Sequence, residues 1–95
     1  MDKPLIVRIS PVATRSAHET VVPIDHDLVR RKAADATRSA RKREIHNFHK
    51  DDPDTLQRML NAIQPGSYIR PHRHLNPPKA ESIILLQGSL AFASF

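Results

Sequence analysis

Proline most constrains what this chain can become, because its fixed φ and missing N–H interrupt helices and the interiors of sheets. Pro4, Pro11 and Pro23 punctuate the first 24 residues, and Pro53, Pro65, Pro71, Pro77 and Pro78 punctuate the last 43. The interval between them opens on an acidic N-cap candidate, Asp25 or Asp27. It continues LVRRKAADATRSARKRE without glycine, with Val29, Ala33, Ala36 and Ala40 at helical spacing. One helix over about residues 27–43 is expected. Its alanine stripe is thin, which suits packing on a sheet. Residues 1–24 carry Val and Ile between prolines and read as an extended arm or a short edge strand.

After a linker at Asp51 to Asp54, Met59, Asn61 and Ile63 alternate with Arg58, Leu60 and Ala62, as a strand would. Leu56, Met59, Leu60 and Ile63 also fit a helical face, but the turn signal Pro65-Gly66 favours the strand. SIILLQ, Gly88-Ser89 and LAFASF then read as strand, turn and strand. The fold expected is mainly β with one N-terminal helix, in three stretches. These are an extended arm (1–24), a basic helix and connection (25–50), and a partial β-sandwich or small barrel (51–95). With three Phe, one Tyr and no Trp in 95 residues, the core must be modest and built from Leu, Ile, Val and Ala. No apolar run approaches the length that spans a bilayer, so a cytoplasmic protein without membrane contact is expected.

The formal charge of +5 is confined to the N-terminal half. Residues 1–50 hold 11 Lys/Arg against 6 Asp/Glu, and residues 51–95 hold 4 against 4. Arg30-Arg31-Lys32 and Arg41-Lys42-Arg43 form the basic clusters. They would attract phosphate groups, but without aromatic interleaving or a nucleic-acid motif a solvated helix face is the plainer reading.

Chemistry concentrates in PHRHLNPPKAE, Pro71 to Glu81. On an extended chain Tyr68, Arg70, His72 and His74 share one face, so the two imidazoles can reach a common ion. Glu81, across the Pro-Pro turn, brings a carboxylate to the same place. There is no cysteine, so any ligands are nitrogen and oxygen. Two imidazoles and a carboxylate suit Zn, Mn, Fe or Ni as a divalent cofactor and leave positions open for water or substrate. Arg70, on the face of the histidines, is a candidate clamp for a phosphate or carboxylate. His46 and His49 are candidates for a further ligand, although an ordinary surface or helix-end histidine is the commoner case. His18 and His26 carry no role.

Gly66, His72, His74, Glu81 and Gly88, with their spacing, resemble the first metal-binding motif of the cupin superfamily. QRMLNAIQPGSYIRPHRH, PPKAES and the upstream SARKREIHNFH are similar to the WbuC-type cupin-fold metalloproteins, over about residues 39–95. The six-residue gap between His74 and Glu81 departs from the usual three or four and matches that branch. The resemblance implies a cupin jelly roll with metal ligation by His72, His74 and Glu81. The second cupin motif, source of a fourth ligand histidine, is absent from the 95 residues, so a partial, C-terminally truncated barrel is expected. Its unpaired terminal strands would then favour a homo-oligomer. The WbuC branch is associated with surface polysaccharide (O-antigen) gene clusters, which implies a sugar or nucleotide-sugar ligand, for which Arg70 and Tyr68 are the candidate binding residues. The resemblance does not set the reaction, and a metal with open positions would allow isomerase, epimerase or hydrolytic chemistry. The alternatives are a non-catalytic metal- or sugar-binding module or degenerate cupin fragment, and nucleic-acid binding through the basic helix.

Overall fold

The computed structural model describes residues 6–17, 21–75 and 77–94. Four strands and one helix follow in the order β1 (Ile6–Ser10), β2 (Ala13–Ser16), α1 (His26–Arg38), β3 (Arg43–Asn47) and β4 (Met59–Ile63). The strands form one mixed sheet in sequence order. β1 and β2 are an antiparallel hairpin with an irregularity between Arg8 and Ser10, β2 and β3 run parallel, and β3 and β4 are antiparallel. The helix is the crossover between the parallel pair and packs on β3 and β4. The fold is thus mainly β with one helix, and the sheet draws strands from all three sequence stretches. Residues 1–24 contribute a hairpin whose second strand is internal to the sheet, where the sequence suggested an arm or an edge strand.

The helix starts where capping chemistry puts it. Asp25 is the N-cap, its Oδ1 accepting from the Leu28 N–H at 2.9 Å. It ends at Arg38, five residues earlier than the expected 43, although SARKRE contains no helix breaker. Ser39 turns extended, and Lys42 takes a left-handed φ of 59° that a non-glycine residue adopts at some cost. The Lys42 carbonyl then accepts from the Gln64 N–H at 2.9 Å, extending the β3–β4 ladder. Sheet pairing outweighs local helix propensity here.

The expected stripe packs only in part: Ala36 is buried, Val29 and Ala33 are half-buried, and the packed face is shifted toward Leu28, Lys32 and Asp35. Leu28, Lys32, Asp35 and Ala36 are the buried residues of α1, and Ala40 lies exposed beyond its end. Among the described residues only Ala13, Leu28 and Ala36 are buried and apolar; the buried polar group is larger and includes Lys32, Asp35, Glu44 and His46. β3 alternates with polar residues inward, Glu44 and His46 buried, Arg43, Ile45 and Asn47 half-buried. Lys32 is fully buried, so the basic run Arg30-Arg31-Lys32 is not a uniformly solvated face. Its Nζ donates to Glu44 Oε1 at 2.7 Å and lies 3.4 Å from Asp35 Oδ2. Arg8 closes the cluster from β1, at 2.7 Å from Glu44 Oε1 and 3.3 Å from Asp35 Oδ2. Burial opposes ionisation of Glu44, but hydrogen bonds from Lys32 and Arg8 outweigh it and hold its pKa below the ordinary value.

His46 sits beside this cluster, paired in register with Thr14 of β2, its Nδ1 2.7 Å from the Thr14 hydroxyl oxygen. Burial, and then the charges of Lys32 and Arg31, push its pKa down to about 4. The ring is therefore neutral in the fold at pH 7. In the unfolded chain a histidine titrates near ~6.5, so between these values the unfolded state binds more protons. The stability His46 contributes is complete above the unfolded pKa and is lost as pH falls toward 4. We expect the urea midpoint to drop steadily from pH 7 to pH 4.5, with a flatter profile in His46→Gln. Parallel profiles for the two proteins would exclude His46 as the source.

The C-terminal apolar runs do not form the expected strands. SIILLQ and the described part of LAFASF are exposed and have no ladder partner, with Ile84 81% and Phe92 72% exposed. A bend does fall at Gln87 and Gly88, close to the expected turn. Apolar composition favours β structure only when a neighbouring strand supplies hydrogen bonds and a face to pack on, and among the described residues no strand pairs with these runs.

Candidate metal centre

Between β4 and the apolar tail the chain turns twice. Pro65 and Gly66, the latter at φ 91°, make a turn closed by the Ser67 N–H on the Gln64 carbonyl at 3.1 Å. Proline followed by a positive-φ glycine is the pattern of a type II turn. Residues 67–74, in no helix or strand, follow, and an isolated antiparallel bridge between Leu75 and Pro78 folds the chain back. That reversal brings Glu81 to His74.

The three ligand candidates converge. One potential ligand atom from each of His72, His74 and Glu81 lies within 4.8 Å of the others. Glu81 Oε1 is 2.8 Å from His74 Nε2, and the two imidazoles meet edge to face with centroids 5.4 Å apart. His72 Nδ1 is 3.1 Å from the carbonyl oxygen of Arg70. A carbonyl only accepts, so Nδ1 carries the proton and Nε2 keeps its lone pair for a metal. Ligand atoms bound to Zn at ~2.0–2.2 Å lie roughly 3 Å from one another. The donor set therefore fits an ion after small side-chain rotations.

All three ligand candidates are exposed, with 39% of the His74 and 55% of the Glu81 side chain open to solvent. Arg70 and Tyr68 are exposed. Among the described residues neither side chain forms a hydrogen bond or ion pair with the three ligands. His46 and His49 do not join the group. Both are buried, contrary to the expectation of surface or helix-end positions. His49 Nδ1 accepts from the Arg58 N–H at 3.1 Å and fastens the loop between β3 and β4, while the Arg58 carbonyl is taken by the Phe48 N–H at 2.9 Å. His26 lies exposed in the first turn of α1, and His18 falls outside the described residues.

Sequence reasoning missed the ionic cluster around Lys32. The signal was present as Leu28, Lys32, Asp35 and Ala36 at i, i+4, i+7 and i+8, but a lysine on a helical stripe is ordinarily taken as its solvated edge.

Fold and site together define a small mixed-sheet protein carrying a three-residue candidate metal centre on the C-terminal segment that follows β4. The family described as Domain of unknown function (DUF6016) matches residues 24–95, and the chain belongs to it. That span contains α1, β3, β4 and all three ligand candidates and leaves out β1 and β2. No curated protein and no solved structure matches the chain. Among the described residues no helix is long and apolar enough to cross a membrane.

Proposed function

We propose that this chain is a metal-binding protein of the cupin type. It holds one divalent Zn, Mn, Fe or Ni ion through His72, His74 and Glu81 and takes a sugar or nucleotide-sugar ligand of surface polysaccharide metabolism. The observation that carries the reading is the convergence of two imidazoles and a carboxylate across the Leu75–Pro78 reversal. Such an ion would supply Lewis acidity and acidify a bound water, as isomerase or epimerase chemistry requires. Arg70 would hold an anionic group of the ligand through its guanidinium, and Tyr68 would pack against the sugar ring. The test is elemental analysis of purified protein, before and after incubation with each of the four metals. About one ion per chain supports the reading, and none after reconstitution rules it out.

A second reading is a non-catalytic metal- or sugar-binding module. The exposure of all three ligands favours it, because no wall of the site excludes water and catalysis by preorganised charge depends on that exclusion. Turnover measured against binding of the same sugar phosphate separates the two.

The partner we propose is a second copy. Residues 82–94 carry no charge and run exposed without ladder partners. An uncharged extended segment complements its own copy through main-chain hydrogen bonds and apolar side chains. Sedimentation is expected to show concentration-dependent association, weakened by Ile84→Lys and Phe92→Lys together. A monomer at all concentrations would refute it.

A further inference from the structure

A second site lies away from the candidate metal centre, in residues that the proposed function does not use. The turn between β1 and β2, the C-terminal end of α1 and the chain entering β3 enclose an open cleft of about 610 Å³. Arg8, Asp35, Arg38, Arg41 and Glu44 supply its charged lining. That volume is within the ~300–1,000 Å³ typical of small-ligand pockets.

The charges do not balance. Arg8, Arg31, Lys32 and Arg38 all approach Asp35 or Glu44, four cations on two carboxylates, and Arg41 is a fifth cation on the same cleft. Buried Lys32 and, from the cleft wall, Arg8 neutralise the two carboxylates, which leaves Arg38 and Arg41 in excess. Arg38 spends one nitrogen on Asp35 Oδ1, at 2.9 Å, and its side chain is 73% exposed. Arg41 spends its Nε on the Arg43 carbonyl at 3.3 Å. Each keeps further N–H donors, of the forked kind that matches phosphate oxygens. The carbonyl end of α1 would repel an anion, but its last turn is already served. Lys42 Nζ donates to the Thr37 carbonyl at 2.9 Å, and the Ser39 N–H donates to the Ala36 carbonyl at 3.2 Å.

We infer that this cleft binds the diphosphate group of a small molecule, held between the guanidinium forks of Arg38 and Arg41 above the Lys32–Glu44 pair. Arg38 and Arg41 are the recognition residues. Lys32 positions them indirectly, by neutralising the carboxylates beneath.

Calorimetry with inorganic pyrophosphate tests this on the full chain. The protein is first stripped with a chelator and dialysed, so that pyrophosphate cannot act through a metal held by His72, His74 and Glu81. Saturable binding near one per chain is expected, weakened about tenfold by Arg38→Gln or Arg41→Gln and lost in the double variant. Arg41→Lys keeps the charge without the fork and is expected to lose several-fold. Arg73→Gln, outside the cleft, controls for general charge attraction and is expected to bind as wild type does. Circular dichroism confirms that each variant is folded. A nucleoside diphosphate and a hexose 1-phosphate are run alongside: tighter binding than pyrophosphate by the nucleoside diphosphate supports the site and names the rest of its ligand, whereas tighter binding by the hexose 1-phosphate, which has a single phosphoryl group, would overturn the diphosphate assignment. No saturable heat with wild type, undiminished binding in the folded double variant, or an equal loss in Arg73→Gln would overturn the inference. Failure of the metal proposal would leave this result unaffected, since no residue is shared.

Discussion

Replacing His72 or His74 by alanine is expected to remove stoichiometric divalent metal from the protein. With only three protein ligands on hand, loss of one leaves two, and affinity at a site so open to water falls by orders of magnitude. Glu81→Gln removes the anionic ligand and has an effect in the same direction. None of the three variants is expected to unfold the chain, because all three side chains are exposed and contribute little packing. Elemental analysis after desalting reads the stoichiometry, and far-ultraviolet circular dichroism reads the fold. If His72→Ala and His74→Ala both retain one ion per chain, the ligand assignment is wrong. Should metal be lost only in a variant of His46 or His49, the ion sits at the sheet instead.

The largest expected effect on stability belongs to Lys32. Lys32→Met keeps the length of the side chain and removes the charge, leaving Glu44 and Asp35 buried with less compensation. Breaking a buried ion pair from one side costs about 3–5 kcal/mol. The stability of a whole domain is only ~5–15 kcal/mol, and a chain with three buried apolar residues among those described belongs at the low end. Lys32→Met is therefore expected to be unfolded, or nearly so, at 37 °C. Replacing both partners, Lys32→Met with Glu44→Leu, removes the stranded charge and is expected to recover much of the loss. Urea unfolding of the three proteins checks this. A midpoint for Lys32→Met within error of wild type would mean that the cluster does not hold helix to sheet.

These two predictions rest on features that were unequally visible in the sequence. The candidate cluster was legible because its geometry is local: His72 and His74, two residues apart, share a face of an extended chain, and a proline-rich reversal brings back Glu81 within ten residues of His72. The absence of cysteine had already limited the ligands to nitrogen and oxygen. The ionic centre was not legible, since Glu44 is 12 residues from Lys32 and 36 from Arg8. Nothing in the local charge pattern distinguishes a lysine that will meet carboxylates from one that will meet water. His46 escaped for the same reason, since its Thr14 partner comes from a strand 32 residues away.

By itself, then, the sequence determined what short-range forces settle. These are a helix opening near an acidic cap, Asp25 or Asp27, of which the fold uses Asp25, the Pro65-Gly66 turn, the alternating strand at 59–63 and the grouping of His72, His74 and Glu81. Tertiary structure alone decided where the helix stops, that β2 lies parallel to β3, that Lys32 is buried while its neighbours Arg30 and Arg31 are not, and that the apolar tail stays unpaired. Each of those outcomes depends on a partner brought up by the fold. A strand forms only beside another strand, and a charge can be buried only where opposite charges have already been assembled to receive it.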